Sequence, residues 1–379
     1  VSSVYSLSSS VLWRIACGAA IALLLARVPL TAHHEVLAKF DDSKRTTLSG
    51  VVTLIDWRNP HVHVFVNVRD ARNNDVNWAI ELESPIDLQH SGWNAQSVKA
   101  GDAVRVEGMA ARDGSRQVWG TSVVLAATGR QVFNVTPRTP PPMSGRPTPR
   151  WADGRPRLGA PTRTAGYWSF PSAHGLVENG VTAAMNAHGL LRNIADASKV
   201  APLQGWALAL YTERQRRFLR DDPGYLHCKP PGGPRQFQSP YGVQFLEDRD
   251  RERIFVLIGS GNNNFRIIYT DARAHVGQVS GDDDNPLYYG RSVAKWEGDV
   301  LVADTRGFNE DFWFTNGGLP HTDQLRFAER FSRPDFDTLR YEVTIEDPGA
   351  YTRPWSSSLT LRWVDGEEMP RHLCQDNRP

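Results

Sequence analysis

Two long stretches of this chain alternate apolar and polar residues at every second position and break at Asn, Asp, Gly or Pro. A period of two places successive side chains on opposite faces of a strand, whereas a helix needs 3.6. The pattern therefore confines most of the chain to antiparallel β structure. The first stretch runs from Phe40 to Phe133. Its strands are expected at residues 47–57 (TLSGVVTLIDW), 61–70 (HVHVFVNVRD), 76–84 (VNWAIELES), 103–112 (AVRVEGMAAR) and 119–126 (WGTSVVLA). Residues 85–93 (PIDLQHSGW), between the third and fourth, read as a short helix and turn. Five strands with one helix-like insertion suit a small barrel of the OB type.

The second stretch lies beyond Cys228. Strands are expected at 241–248, 253–260, 264–271, 291–308, 323–333, 338–347 and 357–363, with a hairpin turn at Glu297-Gly298-Asp299 inside the fourth. About eight antiparallel strands in sequence, joined by short turns, describe a lipocalin-like up-and-down barrel or a strongly curved sheet. The 379 residues are comfortable for two such domains. The fold class is thus mainly β: a small OB-like barrel, then an antiparallel barrel or curved sheet with one or two packed helices.

The segments without this pattern set the boundaries. Residues 136–165 are rich in Pro, Arg and Gly with almost no apolar periodicity, the composition of an extended, disordered linker. Residues 165–200 are loosely structured with helix-forming pieces. Residues 202–222 (PLQGWALALYTERQRRFLRDD) read as a helix, with Pro at its start, an apolar stripe of Leu203, Trp206 and Leu210, and basic residues toward its end. At the other extreme, Arg14 precedes an apolar run at 15–26, too short to span a bilayer, and Ala32 offers a small residue for cleavage. The expected organisation is a signal peptide at 1–32, an OB-like domain at 33–135, the linker at 136–165 and the second barrel at 166–379. Export to the periplasm or beyond follows, with no stable membrane insertion once the signal is removed. Cys17 would leave with the signal. Cys228 and Cys374 would remain, and in an oxidising compartment two cysteines suggest one disulfide closing a long loop.

Charge excludes some partners. Lys plus Arg total 43 against 42 Asp plus Glu, so there is no electrostatic footprint for nucleic acid. G-x-S-x-G, P-loop, dinucleotide and H-E-x-x-H signatures are absent from the sequence.

The stretches AHHEVLAKFD, LSGVVTLIDWRNPHVHVFVNV, WAIELESP and VKAGDAVRVEGMAARDGS together resemble a family of exported bacterial domains of unknown function, DUF6152, over about residues 32–135. The later half, with CKPPGGPR, FRIIYTDAR, GRSVAKWEGDVLVADTRGFNE and HTDQLRFAERF, resembles a module of bacterial hypothetical proteins. Both resemblances imply boundaries and export, and neither implies an activity.

Three constellations carry candidate chemistry. In NPHVHVF, His61 and His63 share a strand face. With His33 and His34, the first residues after a cleavage at Ala32, they offer nitrogen ligands for copper. The same motif also reads as a strand entry, with Asn59 in the turn, Pro60 outside the ladder and the histidines facing water. In HTDQLRFAERF, strand alternation puts His321, Asp323 and Glu329 on the face of Leu325, Phe327 and Phe331, pointing into the barrel. A buried Glu329 needs a cation, with Arg266 or Lys295 as candidates. Histidine beside a carboxylate in an apolar pocket is equipment for proton abstraction and return. A structural His–Asp turn and an Arg–Glu ladder pair explain the same residues. Third, the aromatics Tyr289, Trp296, Trp313, Tyr351 and Trp355 read either as a wall for a planar ligand or as core. Three functions remain open. The first is binding of a small hydrophobic or aromatic molecule in the C-terminal barrel, through Arg266, Lys295 and this wall. The second is a cofactor-independent lyase or isomerase in the same barrel. The third is a copper-binding module at the N-terminal histidines.

Overall fold

The structure is a computed structural model that describes residues 36–58, 61–134, 139–186, 189–217, 222–224, 228–239, 241–260, 264–274 and 288–370. The first part contains α1 (Val36–Lys39), β1 (Phe40–Asp56), β2 (His63–Arg69), β3 (Asp75–Glu81), α2 (Pro85–His90), β4 (Ala103–Ala111), β5 (Gln117–Leu125) and β6 (Gln131–Asn134). β1 pairs antiparallel with β2 and β4, β2 with β3, and β4 with β5, while β3 runs parallel beside β5 from Ala79↔Gln117 to Glu81↔Trp119. These pairings close a ring β1-β2-β3-β5-β4 with α2 between β3 and β4, the expected OB-like barrel. Strand alternation fills it: Val52, Val62, Val64, Val66, Ile80, Leu82, Val104, Val106 and Val118 are all buried. The edge strand β6 was not legible, being four residues long.

The second part contains β7 (Gly166–Ser169), α3 (Ala197–Val200), α4 (Gly205–Arg217), β8 (Val243–Asp248), β9 (Arg253–Ile258), β10 (Phe265–Tyr269), β11 (Arg291–Glu297), β12 (Val300–Arg306), β13 (Arg326–Ser332), β14 (Thr338–Glu346) and β15 (Trp355–Asp365). Nine strands close a barrel in the order β10-β11-β12-β13-β14-β15-β7-β8-β9. The closure differs from a pure up-and-down barrel at one seam, where β10 and β11 pair in parallel. The ninth strand is β7. All four of its residues are buried, so no alternation betrays it in the sequence. The β11–β12 hairpin turns at Gly298, whose φ of 60° favours glycine.

The barrel is filled by its own chain. Phe327, Phe331, Leu339, Tyr341, Val343, Leu359 and Leu361 point inward. A 3-10 helix, Gly233–Gln238, sets the fully buried Phe237 among them, its ring 4.4 Å from Tyr341 and 5.5 Å from Phe331. Helix α4 packs with the opposite face to the one its apolar stripe predicts. Ala207, Tyr211 and Gln215 are buried, whereas Trp206 and Leu210 are 46% and 37% exposed. The reason is polar: Gln215 bonds Leu191 and Gly317, and Trp206 Nε1 donates to the Gly349 carbonyl from the rim.

The Pro/Arg-rich segment is extended, as its composition predicts, but it is not a solvated spacer. Its described residues form a strap across the barrel end where β8 turns into β9, β11 into β12 and β13 into β14. Ser144 bonds Asp337, Arg146 bonds Asp365, Thr148 bonds the Arg333 carbonyl, and Arg150 forks onto Asp299 at 2.9 and 2.6 Å. Two arginines read as linker charges are thus paired with carboxylates of the barrel, Arg150 at a strand turn and Arg146 at the end of β15.

Candidate functional site

The strap leaves a cavity of about 290 Å³ between itself and the barrel end. Glu247, Ile254, Thr270 and Trp296 line it from the last inward positions of β8 to β11 or just beyond, and Trp151 and Arg155 from the strap. Glu247 ties the two together. It accepts hydrogen bonds from Trp151 Nε1 (2.8 Å) and from the backbone of Leu158 (2.8 Å) and Gly159 (3.4 Å). Burial raises its pKa, and these three hydrogen bonds only partly offset that. Only glycine fits at 159, since a Cβ there would lie 2.1 Å from the Phe245 carbonyl oxygen.

The rim is charged but locally compensated. Arg249 pairs with Asp153 at 2.5 Å, Arg253 with Asp248 at 2.9 Å and Lys295 with Glu297 at 2.8 Å. Arg157 and Arg249 pack their guanidinium groups on Trp151 at 3.7 and 4.8 Å. Beneath the strap, Arg333 closes the lumen. It is 2% exposed, lies 4.7 Å from Trp168 and 4.8 Å from Trp363, and donates to the carbonyls of Arg157, Gly159 and Phe336. Burial pushes its pKa down to about 9.

Inside the barrel, Arg266 and Glu329 meet as an ion pair, with side chains 1% and 0% exposed. Arg266 also donates to Ser292 (2.9 Å) and Thr305 (2.7 Å), and Glu329 accepts from Tyr341 (2.8 Å) and Thr305 (2.7 Å). The expected alternation of Phe327, Glu329 and Phe331 is present. It does not extend back to His321 and Asp323. β13 begins only at Arg326, because Asp347 captures the Thr322 amide and hydroxyl, each at 2.7 Å, and bends the chain there. His321 is buried against Phe312 and Phe314, with Nε2 2.9 Å from the Phe312 carbonyl, and burial lowers its pKa. Asp323 is exposed and lines a separate surface cleft with Arg306, Arg326 and Glu346. The acid/base trio expected of His321, Asp323 and Glu329 is therefore not assembled. Lys295 faces outward and is not the partner of Glu329.

The aromatic wall is also divided. Trp296 lines the strap-end cavity, whereas Trp355 opens β15 at the opposite end, 5.5 Å from Tyr351. Tyr351 donates to the Pro320 carbonyl, Trp313 packs under Arg214, and Tyr289 lies against the core just before β11. These four pack at the end opposite the strap, away from Trp296. Trp151, Glu247 and Arg333 were missed. The one available signal was a tryptophan in an otherwise polar, Pro/Arg-rich tract.

In the first barrel, His61 and His63 do share a face, and that face is only partly open to water, their side chains being 17% and 31% exposed. His63 lies opposite Glu81 across β2–β3, and Glu81 is 5% exposed, paired with Trp119 across β3–β5 and bonded by Lys39. Glu81 Oε1 is 2.7 Å from His61 Nδ1, and Oε2 is 2.7 Å from Lys39 Nζ and 3.6 Å from His63 Nε2. Burial opposes ionisation of Glu81, yet these neighbours hold its pKa far below the ordinary range. No three His, Cys, Asp or Glu side chains form a metal shell among the described residues. His33, His34, Asn59, Pro60 and Cys374 lie outside those residues, as do residues 1–32. No helix among the described residues is long and apolar enough to cross a membrane.

Residues 22–121 match the model of a family of unknown function, DUF6152, which spans β1 to β4 and most of β5. No curated protein matches the chain.

Proposed function

We propose that this is an exported two-domain protein whose C-terminal barrel binds a small aromatic molecule at its strap-covered end. The observation that carries the reading is the contrast between a lumen filled by Phe237, Phe331 and Tyr341 and a cavity of about 290 Å³ at the strap end. Cavities near 150 Å³ hold benzene, so this one suits a molecule of one or two rings. Trp296 supplies an apolar wall, and the rim ion pairs supply hydrogen-bond partners without a large net field. A neutral or weakly polar ring is favoured over a strong anion. The acid/base alternative has less support, because His321 and Asp323 stand apart from Glu329. Export rests on the apolar run that follows Arg14, and an oxidising compartment would pair Cys228 with Cys374.

Native mass spectrometry of the full chain purified from a periplasm tests the reading. An organic adduct is expected on the wild type and lost in Trp296→Ala. An adduct retained undiminished by Trp296→Ala would overturn it.

A further inference from the structure

The cluster around Glu81 belongs to the other barrel and is independent of that reading. A nearly enclosed carboxylate usually has a single cation. Here Glu81 gathers Lys39 from α1 and two histidines from β2 or the residues before it. One spacing is not that of a hydrogen bond: His63 Nε2 lies 3.6 Å from Glu81 Oε2, beyond the normal range. Two ligands of one tetrahedral ion, each about 2.0–2.1 Å from it, stand roughly 3.4 Å apart. His63 Nδ1 lies 3.2 Å from the His61 carbonyl, and a proton there leaves the Nε2 lone pair facing the carboxylate. His61 holds the other carboxylate oxygen at 2.7 Å and so fixes the orientation of Glu81, as outer partners of metal ligands do.

We propose that Glu81 and His63 form the protein's share of a binding site for a divalent transition-metal ion, and that Lys39 is the resident cation the metal displaces. Imidazole with carboxylate suits zinc, copper(II) or nickel, with water completing the shell. The ionisable groups around the pair are Lys39, His61 and Asp56. Asp56 lies opposite His63 across β1–β2 and is itself held by Arg58 at 2.5 Å. Lys39 sits at the end of a four-residue helix on a flexible stem, so its ammonium swings out without disturbing the strands.

The test is a calorimetric titration of the full chain with Zn(II) alone, in the wild type and in Lys39→Met, His63→Ala and His33→Ala/His34→Ala. One saturable site is expected. Lys39→Met tightens it by about tenfold or more, because a competing charge at contact distance is removed. His63→Ala weakens it by about tenfold or more, and the His33/His34 double variant leaves it unchanged. A tightening cannot arise from misfolding, which keeps the Lys39 arm decisive. Affinity unchanged or weakened in Lys39→Met overturns the proposal. So does loss of the site in the His33/His34 variant alone, or the absence of saturable Zn(II) binding in every protein.

Discussion

Replacing Arg266 by Met should be among the most damaging single changes in the second barrel. Methionine matches the length of the arginine stem, so little cavity is created. What is lost is the fork onto Glu329 and the bonds to Ser292 and Thr305. Glu329 stays fully enclosed, with only the Tyr341 and Thr305 hydroxyls to hold it, at 2.8 and 2.7 Å. Breaking a buried pair from one side costs about 3–5 kcal/mol. At roughly 2–4 °C per kcal/mol for a domain of this size, the melting temperature should fall by about 6–20 °C. The double variant Arg266→Met/Glu329→Leu removes the stranded charge and should recover about 2 kcal/mol or more, since apolar replacement of a buried pair is often close to neutral. Urea unfolding followed by near-UV circular dichroism measures both. A single variant that costs under about 1 kcal/mol, or a double variant no better than the single, would refute the argument that the enclosed carboxylate dominates the cost.

The strap makes its own prediction: Glu247→Ala removes the acceptor for Trp151, Leu158 and Gly159, so trypsin should cut after Arg157 at least about tenfold faster, as local opening costs less. Protection equal to wild type would show that the other strap contacts suffice. In α4, Tyr211→Ala should cost about 3–5 kcal/mol and Leu210→Ala under about 0.5, the reverse of what the apolar stripe in the sequence suggests. Thermal melts of the two variants decide it. Glu81 predicts an acid limb. Its pKa lies below the ordinary 4.5, so its ionised form contributes stability at neutral pH that is lost as pH falls below 4.5. Glu81→Gln should flatten that limb in acid-unfolding curves, and parallel curves for the two proteins would count against it.

The parts of this fold that were legible share one property: an alternation long enough to count. β1 to β5, and β8 to β15, show it, and inward parity placed Glu329 in the lumen, where its need for a cation left Arg266 or Lys295 as candidate partners. The missed elements lack it. β7 is buried on both faces, β6 is four residues long, and the 3-10 helix Gly233–Gln238 enters the barrel with a polar sequence, GPRQFQ, that carries no period. Charged sites were legible only when both partners lay in regular strands. Lys39 sits on a short helix, and nothing in the sequence around Glu81 marks its enclosure. Parity also misled where a turn intervened: the bond from Thr322 to Asp347, 25 residues away, ends the alternation before Asp323. The linker was misjudged because its composition describes an isolated segment, whereas its partners, Asp299 and Asp337 on turns and Asp365 at the end of β15, lie far along the chain.

Indole N–H signals give the most direct test of where the second barrel takes its ligand. The chain is labelled with ¹⁵N-tryptophan, its indole resonances are assigned by single substitutions, and the molecule that co-purifies with it is titrated in. The account predicts that the Trp151 and Trp296 signals move together and saturate, while those of Trp168, Trp355 and Trp363 stay in place. Movement of Trp168, Trp355 or Trp363 with Trp296 unmoved would put the ligand in the lumen or at the opposite end, and would contradict it.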